Sequence, residues 1–153
     1  VTIEKITDEN VTVAIVLKFL EGWKPTIREE RKNGFTEKDV QDELEIYLKK
    51  HFYSVTREYA IEGKNVKRID FDLGNGKAGL EIKLAENVLK EGEGDRVIGQ
   101  MIKYMHRKYS NDNLIIAVAG FSEHTRNTVI HEMKEFVEVN KAHFIFLKAR
   151  NHK

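Results

Sequence analysis

Val40, Leu44, Tyr47, Leu48 and Phe52 recur at the three- and four-residue spacing of a helix. The run opens at Thr36 with Asp39 three residues on, so the spacing predicts a capped amphipathic helix of about four turns. Three short segments with a period of two follow, at about 54 to 61, 67 to 73 and 78 to 84. Between the second and third lies Gly74-Asn75-Gly76-Lys77, whose glycines and asparagine accept the positive φ angles of a tight hairpin. A helix from about Asp95 to Tyr109 comes next, then LIIAVAG (114 to 120), a strand apolar enough to be covered on both faces. A helix from about Ser122 to Asn140 and the strand HFIFLK (143 to 148) complete the pattern. Residues 9 to 21 favour a helix capped by Asp8 or Asn10, although the β-branched Val11, Thr12, Val13, Ile15 and Val16 leave a strand open.

This order predicts an α/β domain: a mixed β-sheet whose antiparallel hairpin is followed by strands alternating with helices, with helices on both faces. Pro25, in the polar stretch EGWKPTIREERKNGF, reads as a connector. Residues 1 to 35 are therefore expected to form an N-terminal helical arm and connector, and residues 36 to 153 the main domain.

At 153 residues the chain can bury a core without crosslinks, and the absence of cysteine removes thiolate nucleophiles and thiolate metal sites. The longest apolar run, VTVAIVLKFL, is interrupted by Lys18 and is too short to span a bilayer, and no signal-peptide pattern precedes it. A soluble, cytoplasmic protein with no membrane partner is the expectation. Net charge is +1, but residues 51 to 153 hold seventeen Lys or Arg against fourteen acids, a bias compatible with a phosphate-binding face and with ordinary surface lysines alike.

RIDFDLGNGKAGLEIKL (68 to 84) places Asp70, Asp72, Glu81 and Lys83 where strands should bury side chains. Two carboxylates on strands joined by a short hairpin can converge on a hard divalent cation, which takes one or two carboxylates and keeps other positions for water and phosphate. Asp70 and Glu81 supply that minimum, and the Ile82 carbonyl could add a ligand. Lys83 shares a strand face with Glu81, where its charge would hold an attacking water and counter charge developing on a phosphate. Glu-x-Lys alone is commonplace on solvated sheet faces; the hairpin and the first acid give it meaning.

These residues resemble the PD-(D/E)XK nucleases, the restriction-endonuclease-like superfamily: an acid on one core strand (RID, 68 to 70), a hairpin, then E-x-K in an apolar strand (LEIKL, 80 to 84). The element order agrees from about residue 37 to 120. In GQMIKYMHRKY (99 to 109), Gln100 and Tyr104 are similar to the Q-x-x-x-Y of RecB-type members. The resemblance implies a Mg²⁺-dependent nuclease, with Mn²⁺ as substitute, acting on DNA more than RNA, with Asp70 and Glu81 on the metal, Lys83 on the water, and Gln100 and Tyr104 on the phosphate. Arg96, Lys103, His106 and Arg107 would extend nucleic-acid contacts along that helix, opposite an apolar face of Val97, Ile98, Met101, Ile102 and Met105. It also implies an acid on the preceding helix, for which Glu43 is the choice over Asp39, Asp42 and Glu45. Ile69 stands where the motif has proline, and Asp72 leaves the ligand open, although the pattern favours Asp70. A homodimer is compatible with members that cut both strands. The alternative is a nucleic-acid-binding or assembly module that keeps the fold without turnover.

Other motifs fail. GEGDRVIG and GNGKAG lack the glycine spacing of dinucleotide and phosphate loops, and His131-Glu132 is followed by Glu135 where a zinc-protease helix needs histidine.

Overall fold

In the computed structural model, residues 4–27, 36–60, 68–109, 112–140 and 142–151 are described. Among these residues five helices, α1 (Val13–Glu21), α2 (Glu37–His51), α3 (Ala85–Val88), α4 (Glu93–Arg107) and α5 (Glu123–Asn140), surround a five-stranded mixed sheet. Its strands are β2 (Val55–Ala60), β3 (Arg68–Leu73), β4 (Ala78–Leu84), β5 (Leu114–Gly120) and β6 (His143–Lys148), adjacent in that order. The first three are antiparallel, and β4, β5 and β6 run parallel. A small parallel pair joins β1 (Thr26–Ile27) to β7 (Arg150–Asn151).

The sheet separates two cores. On one face α1 and α2 bury Val16, Leu20, Val40, Leu44 and Leu48 against Phe71, Leu80, Ile82 and Ala117. On the other, Val97, Met101 and Tyr104 of α4 and Val129, Met133 and Phe136 of α5 cover Ile116 and Val118. With helices on both faces, β5 has no solvent side, which is why all seven of its residues are buried.

Local chemistry sets the ends. Thr36 and Asp39 form the expected capping box on α2. The α1 helix starts after neither Asp8 nor Asn10: those residues make a short 3-10 turn, and the Thr12 hydroxyl accepts from the Ile15 amide as the actual cap. The hairpin after β3 takes φ of 67° at Gly74, 53° at Asn75 and 89° at Gly76, the conformation its residues were chosen to allow. α1 shares the α2 core through Val16 and Leu20, joined by Trp23 just beyond its end.

Candidate metal centre

The pairing of β3 is irregular where the first acid sits. Its ladder with β4 pairs Phe71 with Leu80, Asp72 with Gly79 and Leu73 with Ala78. One residue further, the Asp70 carboxylate itself accepts from the Ile82 amide at 2.6 Å. On the other side, β2 pairs at Arg57–Phe71 and Tyr59–Ile69, and the intervening Glu58 takes a left-handed φ of 54°, a conformation few non-glycine residues adopt. The alternation of faces also breaks here, since Phe71 belongs to the α1/α2 core and Ile69 to the α4/α5 core. Such irregularities re-aim a side chain out of the ladder.

Asp70 is thereby brought against Glu81 of β4. Glu81 is 2% exposed, and its Oε2 is buried with no hydrogen-bond partner. Burial pushes the Glu81 carboxyl well above the ordinary carboxylate range, and the neighbouring Asp70 charge pushes it further. Burial also raises Asp70, opposed by its hydrogen bonds and by the Lys83 charge. Two adjoining carboxyls, one of them buried, cannot both ionise cheaply without a cation between them.

Lys83 is partly buried and reaches the edge of the pair, with Nζ 4.0 Å from Glu37 Oε1. Glu37 lies in the first turn of α2, and its Oε2 accepts from the Leu84 amide at 3.1 Å and from Asn87 Nδ2 at 3.2 Å. This carboxylate was not singled out from the sequence; the only signal was its place in the first helical turn. Glu43, the expected helix acid, is turned elsewhere: both its oxygens accept from the Thr26 amide, at 2.9 and 3.1 Å, holding β1 to α2.

Asp72 has a different environment. At 3% exposed, it accepts from the Gly76 amide at 2.9 Å and from the Tyr109 hydroxyl at 2.5 Å. Both oxygens are thus used to brace the hairpin against the end of α4. Ile82 presents its amide to Asp70, and its side chain is in the opposite core.

Along α4, Tyr104 departs from the polar stripe assigned to it. Val97, Met101 and Tyr104 follow one another at four and three residues, so the tyrosine falls on the buried face and is 1% exposed. Its hydroxyl receives Gln100 Nε2 at 2.7 Å, lies 3.0 Å from the Arg68 carbonyl and faces Glu81, while burial raises its pKa. Arg96 and Lys103 are exposed, and Arg96 pairs with Glu93 at 3.1 Å. His106 and Arg107 belong to α4, but their side chains lie outside the described set.

A groove of about 280 Å³ is lined by Glu37, Lys83, Asn87, Lys90, Glu93, Arg96 and Val97, and it meets the site through Lys83, with neither acid of the pair in its lining. A larger hollow of about 370 Å³ next to Leu84, Leu89 and Phe121 is mainly apolar and contains neither acid of the pair. Among the described residues no group of three or more His, Asp or Glu is assembled as a metal cage. Mg²⁺ does not require one: it is held by one or two carboxylates plus water and substrate phosphate, and the unpartnered Glu81 oxygen beside Asp70 suits that donor set. Among the described residues no helix is long and apolar enough to cross a membrane. No protein-family model, curated protein or solved structure matches the chain.

Proposed function

We propose that the chain is a divalent-cation-dependent nuclease of restriction-endonuclease-like type, hydrolysing phosphodiester bonds of DNA in preference to RNA. The observation that carries this reading is the pairing of half-buried Asp70 with buried Glu81 and its unpartnered oxygen, set at the break in the β3–β4 ladder. The element order α2-β2-β3-β4-α3-α4-β5-α5-β6, with the pair on β3 and β4, supports it, the short α3 being an addition to the expected order.

Asp70 and Glu81 would hold Mg²⁺ or Mn²⁺, and the Ile82 carbonyl is the proposed backbone donor. Bound there, the ion supplies a water of lowered pKa and neutralises phosphate charge. The chain's own residues do the rest. Lys83 orients the attacking water and places a positive charge against the phosphate as negative charge develops. Glu37, near Lys83 and tied to Leu84 and Asn87, holds that ammonium at the groove mouth. Lys90 and Arg96 line the same groove and offer contacts to neighbouring phosphates. Ile82 and Leu80, packed beneath the strand, keep the Glu81 backbone rigid.

The test is cleavage of linear, nicked, branched and single-stranded DNA with Mg²⁺ or Mn²⁺. Wild type should cut at least one substrate, and Glu81→Gln and Lys83→Ala should each lose roughly 10²-fold or more, the scale of removing one charge-stabilising group. DNA binding without cleavage of any substrate would favour a binding module, and undiminished activity in both variants would overturn the site.

A further inference from the structure

We propose that Tyr104, backed by Gln100, is a positioning residue that fixes both acids of the pair from behind and never touches substrate. The inference rests on the nuclease reading and concerns how its site is held.

Three observations carry it. Tyr104 is 1% exposed, with its ring in the α4/α5 core, so no phosphate in the groove reaches its hydroxyl. The hydroxyl also stands at a junction: it accepts from Gln100 Nε2 at 2.7 Å, donates its single hydrogen to the Arg68 carbonyl at 3.0 Å, and faces the Glu81 carboxyl. Finally, Arg68 is two residues before Asp70, on the part of β3 beyond its pairing with β4 at Phe71–Leu80. On its other side this segment pairs with β2, at Tyr59–Ile69 and Ala60–Arg68, and on the unpaired β4 side the bond from α4 to the Arg68 carbonyl ties it down. One phenol thus ties down the strand that carries Asp70 while standing against the carboxyl of Glu81. Gln100, occupying the phenol's outer side, directs its hydrogen inward.

Groups that orient metal ligands without contacting the metal typically account for about 10- to 100-fold in metal affinity or activity. The experiment compares wild type, Tyr104→Phe and Gln100→Leu by Mn²⁺ binding and by single-turnover DNA cleavage across a Mn²⁺ series. Phenylalanine keeps the buried ring. Tyr104→Phe is expected to weaken Mn²⁺ binding about 10-fold or more, to recover cleavage as Mn²⁺ is raised, and to leave the KM for DNA unchanged. Gln100→Leu, at a partly buried position, should shift in the same direction by less, and it keeps the test open if Tyr104→Phe fails to fold. Unchanged Mn²⁺ binding in the folded variants, or a loss confined to the KM for DNA and unrelieved by Mn²⁺, overturns the positioning role. A wild-type protein that binds no Mn²⁺ overturns the nuclease reading itself.

Discussion

Replacing Glu81 with glutamine should make the metal-free protein more stable while removing its function. The glutamate is 2% exposed, one of its oxygens has no partner, and it faces Asp70. A buried polar group left unpaired costs about 1–3 kcal/mol. Glutamine keeps the shape, carries no charge, and can donate from Nε2 to Asp70, relieving the contact between carboxyls. Taking about 2 kcal/mol from that range, and about 2–4 °C per kcal/mol for a domain of this size, the Tm should rise by roughly 4–8 °C. The pH dependence has a definite sign. Burial raises the folded-state pKa of Glu81 above its unfolded value of 4.5, so the native state binds more protons than the unfolded state in the window above that value. Stability from this group is therefore fully present below pH 4.5 and is lost as pH rises through the folded pKa. Thermal melts in EDTA at pH 5 and pH 8 should show the advantage of Glu81→Gln growing toward pH 8. A variant less stable than wild type at pH 8, or an advantage that shrinks as pH rises, would refute the reasoning.

Tyr109→Phe removes the hydroxyl that Asp72 accepts in a buried site, and should lower unfolding free energy by about 1–3 kcal/mol in urea melts while cleavage at low temperature survives. Gly79→Ala should also destabilise, by about 1–3 kcal/mol as overpacking does, because a Cβ there would stand 2.7 Å from Ile69 Cδ1 and 2.7 Å from Tyr109 Cζ. Lys83→Ala should change the Tm little, since its ion pair among the described residues, with Glu37, is 4.0 Å long, yet remove cleavage, which a rapid-quench assay would show.

Much of the fold was legible because local signals and burial agreed. The β5 and β6 spans, the Thr36 cap and the Gly74–Lys77 turn follow from residues whose preferences the packing does not oppose. The phase of Asp70 and Glu81 was legible too, although not the break at Asp70 that turns its carboxylate onto the Ile82 amide, since nothing in RIDF marks where a ladder stops. The four-residue α3 was too short to leave a period. Tyr104 misled because a tyrosine suits either face of a helix: its ring is buried and its hydroxyl is engaged, a combination set by Glu81 and Arg68 arriving from the sheet. Glu43 and Glu37 exchanged expectations for a similar reason. Glu43 is near the buried face, as its neighbours suggested, but β1 arrives there with an amide to satisfy, whereas Glu37 meets the β4 end only once the chain is folded. Asp72 differs from Asp70 by the Tyr109 hydroxyl, 37 residues away in sequence.

The most direct measurement is Mn²⁺ titration followed by electron paramagnetic resonance on wild type, Glu81→Gln and Lys83→Ala. A cation held by Asp70 and Glu81, with Lys83 acting on water rather than metal, predicts saturable binding in wild type and Lys83→Ala and its loss in Glu81→Gln. Equal Mn²⁺ binding by wild type and Glu81→Gln, or none by wild type, would contradict it.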